Sequence, residues 1–300
     1  MNRVVVIGGS GLVGSRVVEM WRNEFELIAP SHAELDVLDA RAVQRLLGDT
    51  RPTAVLNLAA STQVDAAEAE RGRHEGAVYA LNADGPGLLA GLCREIGAQL
   101  IHVSTDYVFD GTQAERAYRE DDPPRPLSWY AQTKLVGEQR VLERCPGACV
   151  VRIEMPFTTR PHPRGDFART CLRRLQAGET VAGVTDQRIT PVFVDDAVRA
   201  LRVLLEGRAT GLIHVASTEW TTPYRYARAV ATLSELDAEL VQPTTFGAFA
   251  RTRPAPRPRH SWLDTSRFTS RFGPGILRPF DEALAAWAQH LQAVGTGARA

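Results

Sequence analysis

The chain lacks most of what would tie a protein to an oxidising compartment, a membrane or a polyanion. Its four cysteines, Cys93, Cys145, Cys149 and Cys171, make no Cys-x-x-Cys pair and no secreted-domain spacing, which argues against a disulfide framework and a thiolate metal site. Four reduced thiols and no bound metal are expected. No apolar run approaches the length of a membrane span, and the four apolar residues after Met1-Asn2-Arg3 are too few for the core of a secretory leader. A cytoplasmic protein follows as the expectation. Charge of one sign is lacking too: 35 Lys and Arg balance 35 Asp and Glu, so no net field draws the chain to nucleic acid or anionic lipid. What is present, 300 residues with 44% hydrophobic and 23% charged, is the composition of a globular protein with one large or two modest cores.

The first informative stretch is Val4-Val5-Val6-Ile7, a β-branched run of the kind buried on both faces of a parallel sheet. It breaks into Gly8-Gly9-Ser10-Gly11-Leu12-Val13-Gly14 and then a helical pattern through Trp21. Strand, glycine turn and helix in that order suit a dinucleotide, with the helix N-terminus aimed at the pyrophosphate. The spacing is G-x-x-G-x-x-G rather than G-x-G-x-x-G. Phe25 to Ala29 reads as the second strand, and Pro30-Ser31-His32 at its end offers no acid to hold both hydroxyls of an adenosine ribose. That absence favours NADPH, with NADH as the alternative. Asp36, next to Val37, is placed near the adenine amino group, whereas Asp39 reads as the cap of a helix from Arg41 to Leu47.

Thr53 to Leu58 is a third buried strand, and the small residues after it, Ala59 and Ala60, leave room beside Leu58 for the cofactor. Leu81-Asn82 opens a helical stretch to Glu95, and Asn82 reads as a local backbone ligand. Leu100 to Val103 is the fourth strand, in which His102 reads as structural. It delivers Ser104-Thr105-Asp106-Tyr107 to the carboxyl end of the sheet, where open α/β sheets hold ligands. After a proline-rich loop, Ser128 caps a helix that carries Tyr130-Ala131-Gln132-Thr133-Lys134. Residues i and i+4 share a helical face. An ammonium beside a phenol favours the phenolate, which lowers the tyrosine pKa from about 10 and makes Tyr130 an acid–base group for a carbonyl.

These motifs resemble the extended short-chain dehydrogenase/reductase family, and within it the dTDP-4-dehydrorhamnose reductase branch. The resemblance runs nearly the whole length. Its carriers are the glycines at 8, 11 and 14, the segment Asn57 to Glu68, Ser104-Thr105-Asp106-Tyr107-Val108-Phe109-Asp110-Gly111, Tyr130 to Lys134 with Gly137-Glu138, Asp186-Gln187 before Thr190-Pro191, and Arg257 to Thr265. It implies hydride transfer from NAD(P)H to the C4 keto group of a nucleotide-diphospho 4-keto-6-deoxy sugar. Tyr130 would then be the general acid, Lys134 the holder of the nicotinamide ribose, and Thr105 the hydrogen-bond donor to the substrate carbonyl. Ser104, Asp106, Met155, Arg257 and His260 are the substrate-side residues that the resemblance implies. Related dehydratases carry an Asp-Glu pair directly after the Thr; here Asp106 is followed by Tyr107, so elimination lacks its base. Two alternatives remain, a nucleotide-sugar epimerase and a non-catalytic regulatory subunit like the β subunit of methionine adenosyltransferase.

The fold expected is α/β, a Rossmann-type doubly wound parallel sheet with a smaller C-terminal α/β lobe. Residues 1–153 form the nucleotide domain, to which 189–215 return, residues 154–294 form the substrate lobe, and 295–300 form a frayed tail. Cys149 to Ile153 is a further strand, after which the chain leaves the nucleotide domain; beyond it Val192 to Val194 is a strand followed by an Asp195-Asp196 N-cap, Thr222-Pro223 a helix start, and 243–260 a loop closing on the diphosphate. The rhamnose-type reductases usually show Arg-Thr-Ser-Trp at the crossing between domains, where this chain has Met155, which fits either a differently substituted hexose or drift at a tolerant position. Trp287 and its neighbours are either a homodimer face or core.

Overall fold

The computed structural model describes residues 2–163 and 165–297, with side chains to residue 292. Six parallel strands form the main sheet: β1 (Arg3–Ile7), β2 (Glu26–Ile28), β3 (Ala54–Asn57), β4 (Gln99–Thr105), β5 (Cys149–Ile153) and, after a smaller sheet has intervened, β7 (Gly211–Val215). Their order is β2-β1-β3-β4-β5-β7. The chain reverses direction of winding between β1 and β3, and the crevice at such a switch point is where open α/β sheets bind ligands.

The β-branched run of β1 explains the two cores. Val4 and Val6 face Leu56, Ile101 and Val151 beneath helices α1 (Leu12–Trp21) and α6 (Val194–Glu206). Val5 and Ile7 face the other way, onto Val55, Leu100 and Val150 beneath α2 (Ala40–Thr50), α3 (Gly85–Ile96) and α4 (Trp129–Arg144). Both faces are thus apolar, and each fully buried valine contributes on the order of 2 kcal/mol. Asp39 caps α2 through the amides of Arg41 and Ala42, and β7 pairs with β5, so the segment around 211–215 does rejoin the main sheet.

A second lobe is built on β6 (Val181–Val184) paired in parallel with β8 (Val241–Thr244), together with α5 (Phe167–Gln176), α7 (Pro223–Leu233) and α8 (Phe280–Gly297). Its core gathers Phe157, Leu175, Tyr226, Phe280 and Trp287. Trp287 is fully buried there and donates its indole N–H to the Thr158 carbonyl at 2.9 Å, so it is core and not a surface for a second copy. Two further expectations are corrected. Val192 to Val194 is no strand: Phe193 makes one bridge to Phe157 and then caps α6, leaving Asp195 and Asp196 in the helix's first turn, where Arg16 and Arg278 meet them. Helix α8 also continues through Gly297, into the expected tail, whose residues 298–300 lie outside the described residues. Among the described residues no helix is long and apolar enough to cross a membrane.

Candidate active site

The glycine turn after β1 is shaped by close approach. Gly8 has φ +81°, and a Cβ on it would lie 2.7 Å from the Ala59 amide nitrogen, while a Cβ on Gly14 would run into the Gly8 carbonyl oxygen. Only glycine fits either place. The Gly11 N–H donates back to the Gly8 oxygen at 3.0 Å, which closes the turn and starts α1. Helix α1 begins without a side-chain cap and without an acid in its first turn. Its leading N–H groups and dipole therefore suit an anion, and the cradle fits the pyrophosphate of a dinucleotide.

Opposite the cradle, β4 ends in Thr105, whose hydroxyl accepts from the Tyr107 amide at 3.2 Å and donates to Asp106 Oδ1 at 3.0 Å. Ser128 caps α4 by accepting from the Ala131 amide at 3.3 Å, and the helix then presents Tyr130 and Lys134 toward the ends of β3 and β4. Asn82 locks this arrangement: it pairs with both the N–H and the C=O of Ser61 and donates to Thr133 Oγ1 at 3.1 Å. The expected local backbone partner is thus corrected to a distant one, Ser61, 21 positions away.

The result is one cleft of about 340 Å³ between the lobes. Gly8, Gly11, Leu12, Val13, Gly14, Leu58 and Ala60 line it on the cradle side, and Ser104, Thr105, Asp106, Tyr130, Lys134 and Met155 on the other. Met155 lies at the crossing between lobes with φ +38°, a strained left-handed conformation for a side chain without glycine's freedom. Five expected residues lie away from the lining, and Ser10 and Ala59 only flank it. Ser31 gives its N–H and hydroxyl to Glu34 Oε2 at 2.7 and 2.8 Å, Asp36 accepts from the Leu38 amide at 2.9 Å, and Val37 packs into the core. Arg257 Nη2 meets Asp65 at 2.8 Å, and His260 Nδ1 accepts from the Arg188 amide at 3.2 Å.

Electrostatics revises one expectation. In the ligand-free cleft burial pushes the Tyr130 phenol above its ordinary pKa, with the Asp106 carboxyl adding to the rise and the Thr105 hydrogen bond opposing it. Lys134 does not lower it: its Nζ is directed to the Val103 carbonyl at 2.8 Å and His102 Nε2 at 3.5 Å. Burial also pulls Lys134 down to about 8. Asp106 and Glu154 are both fully buried and raised, Glu154 to about 7, by burial first; Asp106 is raised further by the charge of Glu154. Sequence reasoning missed Asn57, His102 and Glu154 as site residues. For Asn57 and His102 the signal available was a polar side chain inside a buried strand; Glu154, just past the end of β5, carried none.

A phosphate cradle, a Tyr–Lys pair on one helix and a threonine at the end of the central strand define an oxidoreductase of the extended short-chain dehydrogenase/reductase class. Comparison with known proteins narrows this. The chain belongs to the family of the RmlD substrate binding domain, whose model matches residues 1–293. It is 37% identical over 288 residues to a dTDP-4-dehydrorhamnose reductase of Mycolicibacterium smegmatis, covering 94% of this chain and 84% of the relative. A probable dTDP-4,6-dihydroxy-2-methyloxan-3-one 4-ketoreductase of Streptomyces antibioticus is 38% identical over 287 residues, covering 94% and 93% of the two chains. Among solved structures, dTDP-4-dehydrorhamnose reductase from Bacillus anthracis in complex with NADP superposes with a TM-score of 0.88 at 27% identity, over 96% of this chain and 99% of that one.

Proposed function

We propose that the protein is an NADPH-dependent reductase of the C4 keto group of a nucleotide-diphospho 4-keto-6-deoxy sugar. The observation that carries this reading is the convergence of Thr105, Tyr130 and Lys134 on a glycine cradle in one cleft, in a chain whose relatives are named for that reduction. NADPH, when bound, supplies the hydride. Every other part is this chain's own. Tyr130 Oη gives its proton to the alkoxide oxygen formed at C4, the Lys134 ammonium stabilises the phenolate left behind, and the Thr105 hydroxyl holds the carbonyl oxygen. In the ligand-free protein Thr105 spends its hydrogen on Asp106, so substrate binding must turn that hydroxyl.

Residues 1–153 and 189–215 hold the cofactor in this reading, and 154–294 hold the sugar nucleotide. Arg257 stands beside the cleft as the cation for the diphosphate, held in place by Asp65. Ser104, Asp106, Met155 and His260 are the residues on the sugar side.

The test is the absorbance decay of NADPH, and separately of NADH, with purified protein and dTDP-4-keto-6-deoxyglucose, before and after addition of its 3,5-epimerase. Decay establishes the 4-ketoreductase, and its dependence on the epimerase says which sugar is read. No decay, with cofactor shown to bind, overturns the reading. An epimerase or a non-catalytic subunit would use the same cradle and consume no NADPH.

A further inference from the structure

Lys134 is the only lysine in the chain, beside 34 arginines, since Lys and Arg together number 35. Its surroundings are unusual for an ammonium. Asn57 and His102 are register partners on the neighbouring strands β3 and β4, with side chains on the face that α4 covers. The Ala59 amide donates to Asn57 Oδ1 at 3.1 Å, which fixes the amide orientation of Asn57 and leaves Nδ2 facing His102 Nδ1, also at 3.1 Å. Nδ2 can only donate, so Nδ1 accepts, and the proton of the neutral imidazole sits on Nε2. Nε2 is the atom 3.5 Å from Lys134 Nζ.

An ammonium has three donors and no acceptor, so an N–H pointing at it would set two donors against each other. A neutral amine removes the conflict: it donates to the Val103 carbonyl and accepts from His102 with its lone pair. We propose that Asn57 and His102 act as positioning residues that favour the neutral amine of Lys134 over its ammonium in the ligand-free protein, and that cofactor binding reverses this preference. The charged and titratable groups facing Lys134 permit this. Glu138, one turn further along α4, favours the ammonium, but its carboxylate is committed to Arg152 of β5 through bonds of 2.7 to 3.2 Å. His102 is fully buried and held well below its ordinary pKa by that burial, then by the lysine, so it stays neutral. Tyr130, on the preceding turn, is raised and neutral. Complete burial of Lys134 acts in the same direction.

The second half of the proposal rests on the reductase reading; the first does not. A bound cofactor brings phosphate charge and ribose hydroxyl acceptors to the amine, which favours its charged form. Tyr130 then has a cation beside it only when the cofactor is in place.

A single lysine makes the test direct. Protein grown on lysine labelled with carbon-13 at Cε gives one resonance, whose shift reports the charge of Lys134 across about pH 6 to about pH 10. The expected midpoint lies near 8, and saturating NADP+ at high pH returns the resonance to the ammonium position. Asn57→Asp keeps the acceptor for Ala59 but turns His102 Nδ1 into the donor, which leaves Nε2 as an acceptor for an ammonium; the midpoint then rises by about one unit or more. His102→Gln, whose amide can turn its oxygen to the lysine, gives a rise as well and covers the case in which Asn57→Asp does not fold. A midpoint near that of free lysine in the wild type, or one that neither variant moves, overturns the proposal. Bound NADP+ that leaves the resonance unchanged overturns the charging step, and NADP+ that does not bind overturns the reductase reading while the ligand-free titration stands.

Discussion

Glu154 Oε1 accepts a hydrogen bond from Ser261 Oγ at 2.6 Å, which ties the residue just after β5 to a segment 107 positions further along the chain. Its other oxygen accepts from the Thr190 amide at 2.7 Å, so a fully buried carboxylate is the knot of three chain segments. Asp106, at the end of β4, faces this group, and Asp106 Oδ2 is buried without a hydrogen-bond partner. Two carboxyls in one dry site do not both ionise.

That pairing makes stability depend on pH with a definite sign. Glu154 is raised from 4.5 to about 7 in the folded chain, and Asp106 shifts in the same direction. The folded state therefore holds protons that the unfolded state has released, so stability falls as pH climbs from the unfolded value near 4.5 through the folded value near 7, and levels off above it. Glu154→Gln stays neutral throughout and removes much of that slope. Thermal melts at about pH 5 and about pH 8 should show a wild type that loses several degrees at the higher pH and a variant that loses much less. Equal slopes in both proteins would remove Glu154 as the source.

Arg257 gives a prediction about substrate. Its guanidinium meets Asp65 at 2.8 Å, and the other Asp65 oxygen accepts from the Ala255 amide at 3.2 Å, so one carboxylate sets both the side chain and the loop that bears it. Arg257→Ala should raise KM for the nucleotide sugar roughly tenfold to a hundredfold, as expected for loss of a charge-assisted bond, with KM for NADPH little changed. Asp65→Ala should raise the same KM by less, because the arginine remains but is no longer held. Steady-state kinetics with each substrate varied in turn decides it, and equal rises in both KM values would place Arg257 elsewhere.

Much of this was legible in the chain because it is local. The Val-Val-Val-Ile run before a glycine turn, the Ser128 cap and the Tyr130 to Lys134 spacing each lie within a few residues, and strand or helix periodicity projects them directly into space. The Asn57–His102 contact spans 45 positions and follows only from the register of β3 on β4. The Glu154–Ser261 bond spans 107 and needs the closure of one lobe on the other. The direction of the Tyr130 shift depends on how completely the ring is buried and on where Lys134 turns, neither of which spacing reveals. Val192 to Val194 has a strand's composition, but tertiary contact of Phe193 with Phe157 made it the start of a helix instead.

Cofactor preference should rest on Glu34. At the end of β2, where the sequence pattern puts an adenosine ribose, Ser31 offers an N–H and a hydroxyl, the donors that a 2′-phosphate would use, and Glu34 takes both. Those two bonds hold the Glu34 carboxyl below its ordinary range, so it is ionised at neutral pH and opposes a second anion there. Glu34→Gln should therefore raise kcat/KM for NADPH several-fold with little effect on NADH. A ratio that does not move would mean that Ser31 and Glu34 stand away from the ribose.

Tyr130→Phe separates chemistry from binding. The substitution removes the hydroxyl and keeps the ring, which packs edge-on to Tyr107 with centroids 6.1 Å apart, so the cleft wall stays intact. The other polar side chains here are already engaged: Asp106 Oδ1 accepts from Thr105, Glu154 accepts from Ser261 and Thr190, and Lys134 donates to the Val103 carbonyl. Reduction should fall by about a hundredfold to ten-thousandfold, the usual contribution of a general acid, whereas NADPH affinity read from nucleotide fluorescence should change little. If both collapse together, the phenol is holding the cofactor, and the proton must reach the oxygen on C4 by another route. If neither changes, the Thr105 hydroxyl, backed by the raised Asp106 carboxyl, becomes the proton donor.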